Sequence, residues 1–583
     1  MNLLGLVEAD KGPNNGSYLP FFQVLCFIFA VGLPLTGRPL FSFGPQHHKA
    51  IIMALRVSNI RLAVEDPEIT LPERLARSLG IQPSDIQRWR ILRKSLDARD
   101  RQIQFVYSAE VQLQDELKIL QNKPRFQSIS VEAYSEIPFV MPPSGDIPIL
   151  CRPVVIGSGP GGLAAAYFLA EHGYRPILLE RGRPVRDRIR DVKDFDDGGE
   201  FNPESNYLFG EGGAGTFSDG KLTYRGSGPD VTRILQMFAE NKGKPSVLYD
   251  FRPHLGSNRL PAVVKSIRRK IEAMGGEVRF SCKAEDLDIQ DGQIRGVHTS
   301  GGHIPANVVI LAIGHSARDT YNALHARGVL MEQKPFQMGV RIEQPQEIVN
   351  RVKYGQSGLE NVIGAADYSL VANGKYDLFT FCMCAGGYIM PSVSEPGAFC
   401  TNGMSLSKHD SPYANSGLVI TINPAEFGSS HPLAGIHFQE KYEKLAYEVG
   451  KREYRCPIQG ARDFLGGRVS PAAPPSSYPR GTISTNLEAI LPSQVIEALH
   501  HGLPIMDRKW QGRFLKEASL VGPESRGSAP VRVVRDPSSR QSPSAIGLFP
   551  VGEGAGYAGG IVSAALDGLR SAMSIISTYA PVS

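Results

Sequence analysis

PVVIGSGPGGLAAAYFLAEHGYRPILLE, residues 153–180, decides the fold. PVVIG is a short apolar strand pattern, and Gly157, Gly159, Gly161 and Gly162 crowd the turn after it. LAAAYFLAEHG then reads as a helix closed by Gly173, and RPILLE as a second buried strand ending in Glu180. Strand, glycine turn, helix and acid-tipped strand in that order form a dinucleotide-binding unit. Gly157 permits the tight turn, Gly159 lets a pyrophosphate approach the backbone, and Gly162 lets the helix pack on the sheet. The helix N-terminus adds N–H donors and a positive dipole. Glu180 is placed to accept hydrogen bonds from adenosine ribose hydroxyls. Its charge disfavours a 2′-phosphate, so FAD or NAD is expected over NADP.

The same glycine spacing recurs at Gly210–Gly215 and Gly554–Gly559, but neither copy has a strand–turn–helix setting with a following acid. The far end of the chain separates FAD from NAD. GLFPVGEGAGYAGGIVSAALDGLRSA, residues 547–572, reads as a strand, a turn through Gly552 and Glu553, and a helix of small residues. In two-segment flavoproteins an acid after such a late strand binds the ribityl chain. The next helix points its N-terminus, here Gly559, Gly560 and Ile561, at the flavin, where negative charge gathers on reduction. VVILAIGHSA, residues 308–317, reads as a third piece, a strand returning beneath the cofactor with Gly314 at its turn. Three separated pieces that agree in order point to FAD.

Composition bounds the rest. The chain has 583 residues, 42% hydrophobic and 21% charged, which excludes wholesale disorder and a multi-spanning membrane protein. A net charge of +5 is too small to imply a nucleic-acid partner. Seven cysteines, sparse and odd in number, suit a reducing compartment better than a disulfide scaffold. The 61 glycines exceed the usual ~7% share and call for tight turns or close backbone approach to a ligand. Residues 12–37 carry no charge, and 18–35 are largely apolar but broken by Pro20, Gln23 and Pro34. Translation starting at Met53 is the reading favoured here, with an anchor or cleaved leader as the alternative.

The expected organisation is an extension at 1–52, a small α/β module at 53–121 and a Pro- and Ser-rich linker at 122–150. An FAD domain split into 151–330 and 541–583 follows, with a mixed α+β substrate or cap domain inserted at 331–540. The fold class is therefore α/β with a two-segment Rossmann-like domain. In the small module, Arg88, Arg90, Arg93, Lys94, Arg99 and Arg101 are interrupted by acids and read as a solvated face. Arg181, Arg183, Arg186, Arg188 and Arg190 read as an exposed helical face, with Arg181 a candidate contact for the adenine end of FAD.

These residues also carry a family resemblance. RKSLDAR (93–99), SNYLFGEGGAGTFSDGKL (205–222), AIGHSARDTY (312–321), KPFQMGVRIEQPQ (334–346), FCMCAGGYIMP (381–391), TNGMS (401–405) and the terminal GEGAGYAGGI join the 153–180 fingerprint. Together they resemble the two-domain FAD-dependent dehydrogenases often labelled NAD(FAD)-utilizing dehydrogenases, found in bacteria and plastid-bearing eukaryotes. The resemblance runs from about Met53 to the end. It departs at Ala385, where proline is expected after Cys384. It implies the fold and FAD rather than a substrate. In related flavoproteins a loop like 210–217 wraps the FAD diphosphate, which makes Gly212, Gly213 and Thr216 candidate contacts. Ser218, Asp219 and Lys221 then become candidates for the substrate side.

Cys382 and Cys384 sit two apart in a strand-like run, which would put both thiols on one face as a redox pair or nucleophile. No second pair has metal-site spacing, so no metal is expected. Arg526 and Arg532 precede the strand that enters the flavin site and suit a carboxylate substrate or an anionic flavin, with salt bridges to acids such as Glu524 as the alternative. His315 is an acid–base candidate beside the Gly314 turn. The expected activity is hydride exchange between a small-molecule substrate and flavin N5. No second Rossmann unit is present for NAD(P)H, so a nicotinamide donor would dock over the flavin directly. An FAD-dependent RNA-modifying enzyme and a flavoprotein without turnover are the alternatives. No nucleic-acid partner or stable membrane span is expected, and the compartment is cytoplasmic, or the plastid stroma in a eukaryote.

Overall fold

A computed structural model describes residues 54–98, 103–121, 128–355 and 358–581. The expectations for 1–52, the start at Met53 and the basic residues Arg99 and Arg101 lie outside the described residues. Five parallel strands form the nucleotide sheet in the order Leu548–Pro550, Val309–Leu311, Val154–Ile156, Ile177–Leu179, Glu277–Arg279. Counted along the chain this is the 3-2-1-4-5 order of a doubly wound Rossmann sheet. All but the last strand are wholly buried. Hence they read as short continuous apolar runs rather than alternating ones.

Two helices cover one face of this sheet. Pro160–Glu171 follows the glycine turn, and Ile561–Thr578 lies against it. Their contact needs bare backbone: a Cβ on Gly568 would lie 2.1 Å from the Gly161 carbonyl oxygen. A Cβ on Gly162 would lie 1.9 Å from the Gly157 carbonyl oxygen, so this residue sets how closely helix and turn approach. A three-stranded meander, Ala284–Gln290, Gln293–Thr299 and Gly302–Pro305, is attached to the unit.

The inserted unit is built on a seven-stranded sheet. Its order is Val371–Ala372, Leu378–Cys384, Tyr413–Ile422, Phe336–Pro345, Ser519–Glu524, Cys456–Gly460, Thr482–Ser484. The two central strands pair without interruption from Phe336 with Ile422 to Pro345 with Tyr413. Helices Ala434–Val449 and Ser493–Lys509 pack on the sheet and share its core. Met331–Gln333 pairs with Val531–Val533 where the chain enters and leaves this unit. Past that ribbon, Arg535 and Arg540 bind Asp567 on the last helix, so 534–540 packs with the nucleotide unit.

The small module is a four-stranded antiparallel sheet, Arg88–Asp97, Gln104–Gln112, Ala54–Ala63 and Ser130–Tyr134, with helix Leu71–Leu79 closed by Gly80. Its fourth strand comes from the stretch read as linker, and Ile147–Pro148 pairs with Tyr579–Ala580. Composition hid both because each segment is mostly exposed and its pairing partners are distant in sequence. Arg90 is paired with Glu110 and Glu136, and Lys94 with Glu68.

Gly162→Ala forces a methyl group against a backbone oxygen that cannot retreat. We expect a loss of about 3 kcal/mol in denaturant unfolding, against a small change for Gly301→Ala, which lies outside the left-handed region and whose added carbon meets nothing nearer than Thr299 Oγ1 at 3.7 Å. An equal effect at both positions would show that close packing is not the cause.

Candidate cofactor and active site

A cavity of about 390 Å³ opens at the carboxyl ends of the parallel strands. Gly157, Gly159 and Gly161 line it after the first strand, Glu180 and Arg181 after the second, and Gly314 after the fourth. Gly552, Glu553, Gly559, Gly560 and Ile561 line it after the fifth. Gly159 caps the first helix and Gly560 the last, so two helix N-termini border one space. Each contributes free N–H groups and positive dipole. The inserted unit closes the other side with Cys382, Cys384, Asn402, Gly403 and Arg526.

Several expected residues take other roles. Gly162 lies behind the turn as packing. Gly213 lines the cavity, but Gly212 and Thr216 face away toward Val264, and Thr216 Oγ1 donates to the Glu211 carbonyl at 3.0 Å. Arg532 is outside the cavity lining: its guanidinium pairs with Glu332 at 2.9 Å on the connecting ribbon. Strand pairing of Val531–Val533 with Met331–Gln333 fixes its side chain there.

Glu180 is buried and already well supplied with donors. Ser158 N, Gly182 N and Gly210 N donate to it at 3.0, 2.9 and 3.0 Å, and Ser158 Oγ at 2.5 Å. These four fill the lone-pair sites of a carboxylate, so a ribose hydroxyl gains a place only if the Ser158 hydroxyl rotates away. Arg181 is clamped by Glu204 and Asp319 with its guanidinium 4.2 Å from the Phe209 ring. Burial raises the Asp319 carboxyl, but Arg181 and Lys283 outweigh it and hold the group at about 2.

Sequence reasoning missed Arg188. The expected exposed face is wrong for this residue, which is fully buried. Its guanidinium donates to five carbonyls, those of Asn206, Tyr207, Gly210, Glu211 and Gly213, at 2.8–3.1 Å. Burial pushes its pKa down to about 10, which leaves it charged at neutral pH. One side chain thereby shapes the glycine-rich loop over the cavity. The only signal was a helix, Val185–Asp196, whose apolar stripe of Val185, Val192 and Phe195 includes an arginine position.

The cysteine pair also departs from expectation. A bulge between Phe381 and Cys384 breaks the strand pairing, and Cys382 takes a φ of +44°. Both residues still line the cavity, but Cys382 is exposed there while Cys384 is buried, its Sγ donating to the Cys382 carbonyl at 3.3 Å. Cys382 is open to the cavity, yet the protein packed around it pushes its thiol up to about 11, and burial takes Cys384 to about 12. Neither is poised as a thiolate. Arg341 holds the bulge through the Cys382 carbonyl and pairs with Glu524 at 2.7 Å.

Arg526 does line the cavity, but its partner is Glu443, not Glu524. It contacts that carboxylate at 3.0 and 2.7 Å, and Arg318 contacts it from the other side at 2.9 and 3.0 Å. His315 Nδ1 lies 2.8 Å from Ser316 Oγ. Burial, reinforced by Arg526 and Arg318, lowers His315 to about 3, so it is neutral near pH 7. Ser218, Asp219 and Lys221 line the same space.

Glu553 is pushed up to about 7 by burial, opposed by the Lys334 charge. A folded-state pKa above the unfolded value means the native protein binds the extra proton, so stability falls as pH rises from about 4.5 through 7. In flavin-free protein, Glu553→Gln is expected to be more stable than wild type at pH 8 by up to about 2 kcal/mol, and equal to it near pH 4. A constant difference across that range would contradict this. Arg188→Met removes the donor to five buried carbonyls; a loss of about 4 kcal/mol or more and faster proteolysis within 203–217 are expected. Unchanged stability would show that water replaces the guanidinium.

Residues 335–527 match the model of the FAD-dependent protein C-terminal domain-like family, and 152–337 that of pyridine nucleotide-disulphide oxidoreductases. Residues 54–112 match a domain of unknown function. An uncharacterized protein of Clostridium beijerinckii is 40% identical over 533 residues, 90% of this chain and 99% of that one. Among solved structures, CtdE in complex with FAD is 13% identical over 72% of this chain and 82% of that one, with a TM-score of 0.30. L-proline dehydrogenase from P. horikoshii is 13% identical over 73% and 93%, with a TM-score of 0.29. The chain belongs to one family with this relative; with its FAD-dependent C-terminal and pyridine nucleotide-disulphide oxidoreductase domains, it is an FAD-dependent oxidoreductase.

Proposed function

We propose that the cavity holds FAD, with its adenosine end toward Glu180 and its flavin end toward Glu553 and the inserted unit, and that a small polar substrate enters beside Asp219, Lys221 and Arg526. The observation that carries this is the convergence of two helix N-termini and an unneutralised carboxyl, Glu553, on one cavity. Those groups fit a ligand with a diphosphate and a chain of hydroxyls. When bound, FAD supplies two-electron exchange at N5 with the substrate. Gly157, Gly159 and Gly161 offer backbone at the first helix end, while Gly213 and Gly314 border the space from either side. Gly552, Gly559, Gly560 and Ile561 present the last helix end. Arg526, held by Glu443, supplies a fixed positive charge at the wall, and Lys221 supplies a second.

An external NAD(P)H donor remains compatible with this cavity. The alternative of RNA binding is disfavoured because Arg90 and Lys94 are engaged by acids of their own sheet. Among the described residues no helix is long and apolar enough to cross a membrane. The six cysteines described are unpaired, which suits the cytoplasm.

Purified protein should be yellow and release FAD on denaturation. Anaerobic addition of NADH, NADPH and a panel of small alcohols, amines and hydroxy acids should bleach the flavin with at least one donor. A colourless protein that takes up no FAD would overturn the cofactor placement. A yellow protein reduced by dithionite but by no donor would point to the flavoprotein without turnover.

A further inference from the structure

Behind the cavity wall, four residues far apart in sequence meet. Asp219 Oδ1 accepts a short hydrogen bond from Ser405 Oγ, and Ser405 Oγ lies 3.1 Å from His254 Nε2. His254 Nδ1 lies 3.0 Å from His409 Nε2, and His409 Nδ1 lies 2.8 Å from the Ala385 carbonyl oxygen. The ring centroids are 4.0 Å apart. Asp219 lines the cavity, and its Oδ2 is buried without a hydrogen-bond partner. His409 sits at a φ of +53°, a conformation that non-glycine residues keep only where the surroundings impose it.

We propose that Asp219, Ser405, His254 and His409 form a chain with room for one proton, which it takes up at Asp219 when two-electron chemistry occurs in the cavity; this rests on the FAD reading above. The argument is a count of hydrogens. A carbonyl only accepts, so His409 carries its proton on Nδ1 and accepts at Nε2. His254 therefore donates from Nδ1 and is bare at Nε2. Ser405 has one hydrogen and two acceptors, Asp219 and His254 Nε2. With an ionised carboxylate and neutral rings, three protons serve four contacts. One more proton fills all four: a protonated Asp219 donates to Ser405, which turns to His254, or His254 becomes an imidazolium. No heavy atom has to leave its place.

The surroundings keep the vacancy at rest. Burial, with the nearby His409, Lys244 and Lys221, holds His254 down to about 4 against the pull of Asp219. Burial raises the Asp219 carboxyl, but Lys221 and His254 bring it below its ordinary value. The thiols of Cys382 and Cys384 face Lys221 and Asp219 from the bulge and stay protonated near neutral pH. Negative charge gained in the cavity raises the proton affinity of the chain. The step moves a proton and no electrons: an O–H bond of hydronium from solvent, or of a hydroxyl-bearing substrate in turnover, breaks and an O–H bond forms on Asp219. Ligand atoms of Asp219, His254 and His409 also lie within 4.8 Å of one another, the spacing of a metal site. The Lys221 ammonium, 3.5 Å from Asp219 Oδ2, supplies positive charge where a cation would sit and favours the proton reading.

The test is the midpoint potential of the bound flavin, titrated against reference dyes over a pH series, whose slope gives the protons taken up per two electrons. Wild type should bind up to one more proton per two electrons than Ser405→Ala or His254→Gln between about pH 4, where resting His254 titrates, and about pH 6, with the extra count fading above that. His298→Gln, on the exposed meander, should match wild type. Equal counts in wild type and Ser405→Ala overturn the proposal. Histidine nitrogen NMR on the oxidised protein gives a second readout, with rings identified by signals lost in His254→Gln and His409→Gln. Both rings should show the Nδ1–H tautomer, and Nε2–H on either overturns the chain. A protein without reducible flavin would sink the FAD reading, and the tautomers would still decide the chain.

Discussion

One buried carboxylate joins the two halves of this molecule. Glu443, on the helix Ala434–Val449 of the inserted unit, is fully buried between Arg318 of the nucleotide unit and Arg526 at the cavity wall. Two guanidiniums around one carboxylate would leave an excess positive charge, and Glu395, 2.7 Å from Arg318, offsets it. Desolvating such a cluster costs energy that its internal attraction only repays in good geometry. Its contribution is therefore better counted as position than as net stability. With Glu443 removed, two buried guanidiniums would be left to share Glu395 alone. The cluster fixes where the inserted unit sits on the nucleotide unit, and hence the shape of the space between them.

The same economy appears in the loops that border the cavity. Arg188 gathers the carbonyls of 206–213, Arg341 holds the 381–384 bulge, and Lys221 donates to the Met383 carbonyl. Irregular backbone cannot satisfy itself as a helix or sheet does, and long cationic side chains do it here. The site is bounded by irregular segments, each pinned by a cation from elsewhere in the chain.

This explains what was legible in the sequence. The strand, turn and helix from Pro153 to Glu180 are local, so their pattern predicts them directly, and the turn at Gly552–Ile561 is local in the same way. Glu180 was found by spacing, but its saturation by Ser158, Gly182 and Gly210 depends on a loop thirty residues away. Arg188 looked like its exposed neighbours because helical spacing does not say what covers a face. Alternation placed Cys382 and Cys384 on one face, and both line the cavity, but a bulge, invisible in composition, leaves the first exposed and the second buried. The Asp219–Ser405–His254–His409 chain has no sequence signature, since its members meet only when the inserted unit packs against the glycine-rich loop.

The order of the strands has a consequence for biosynthesis. The cavity is walled first by Gly157–Arg181, then by the inserted unit, and last by Val551–Ile561. A ribosome-bound chain can thus bury the seven-stranded sheet while the nucleotide sheet still lacks its edge strand, Leu548–Pro550, and the helix that packs on Pro160–Glu171. Until those residues emerge, the apolar faces of Leu163, Ala166 and Val155 have no cover from that side. The cavity therefore cannot close until residues 548–578 have been made.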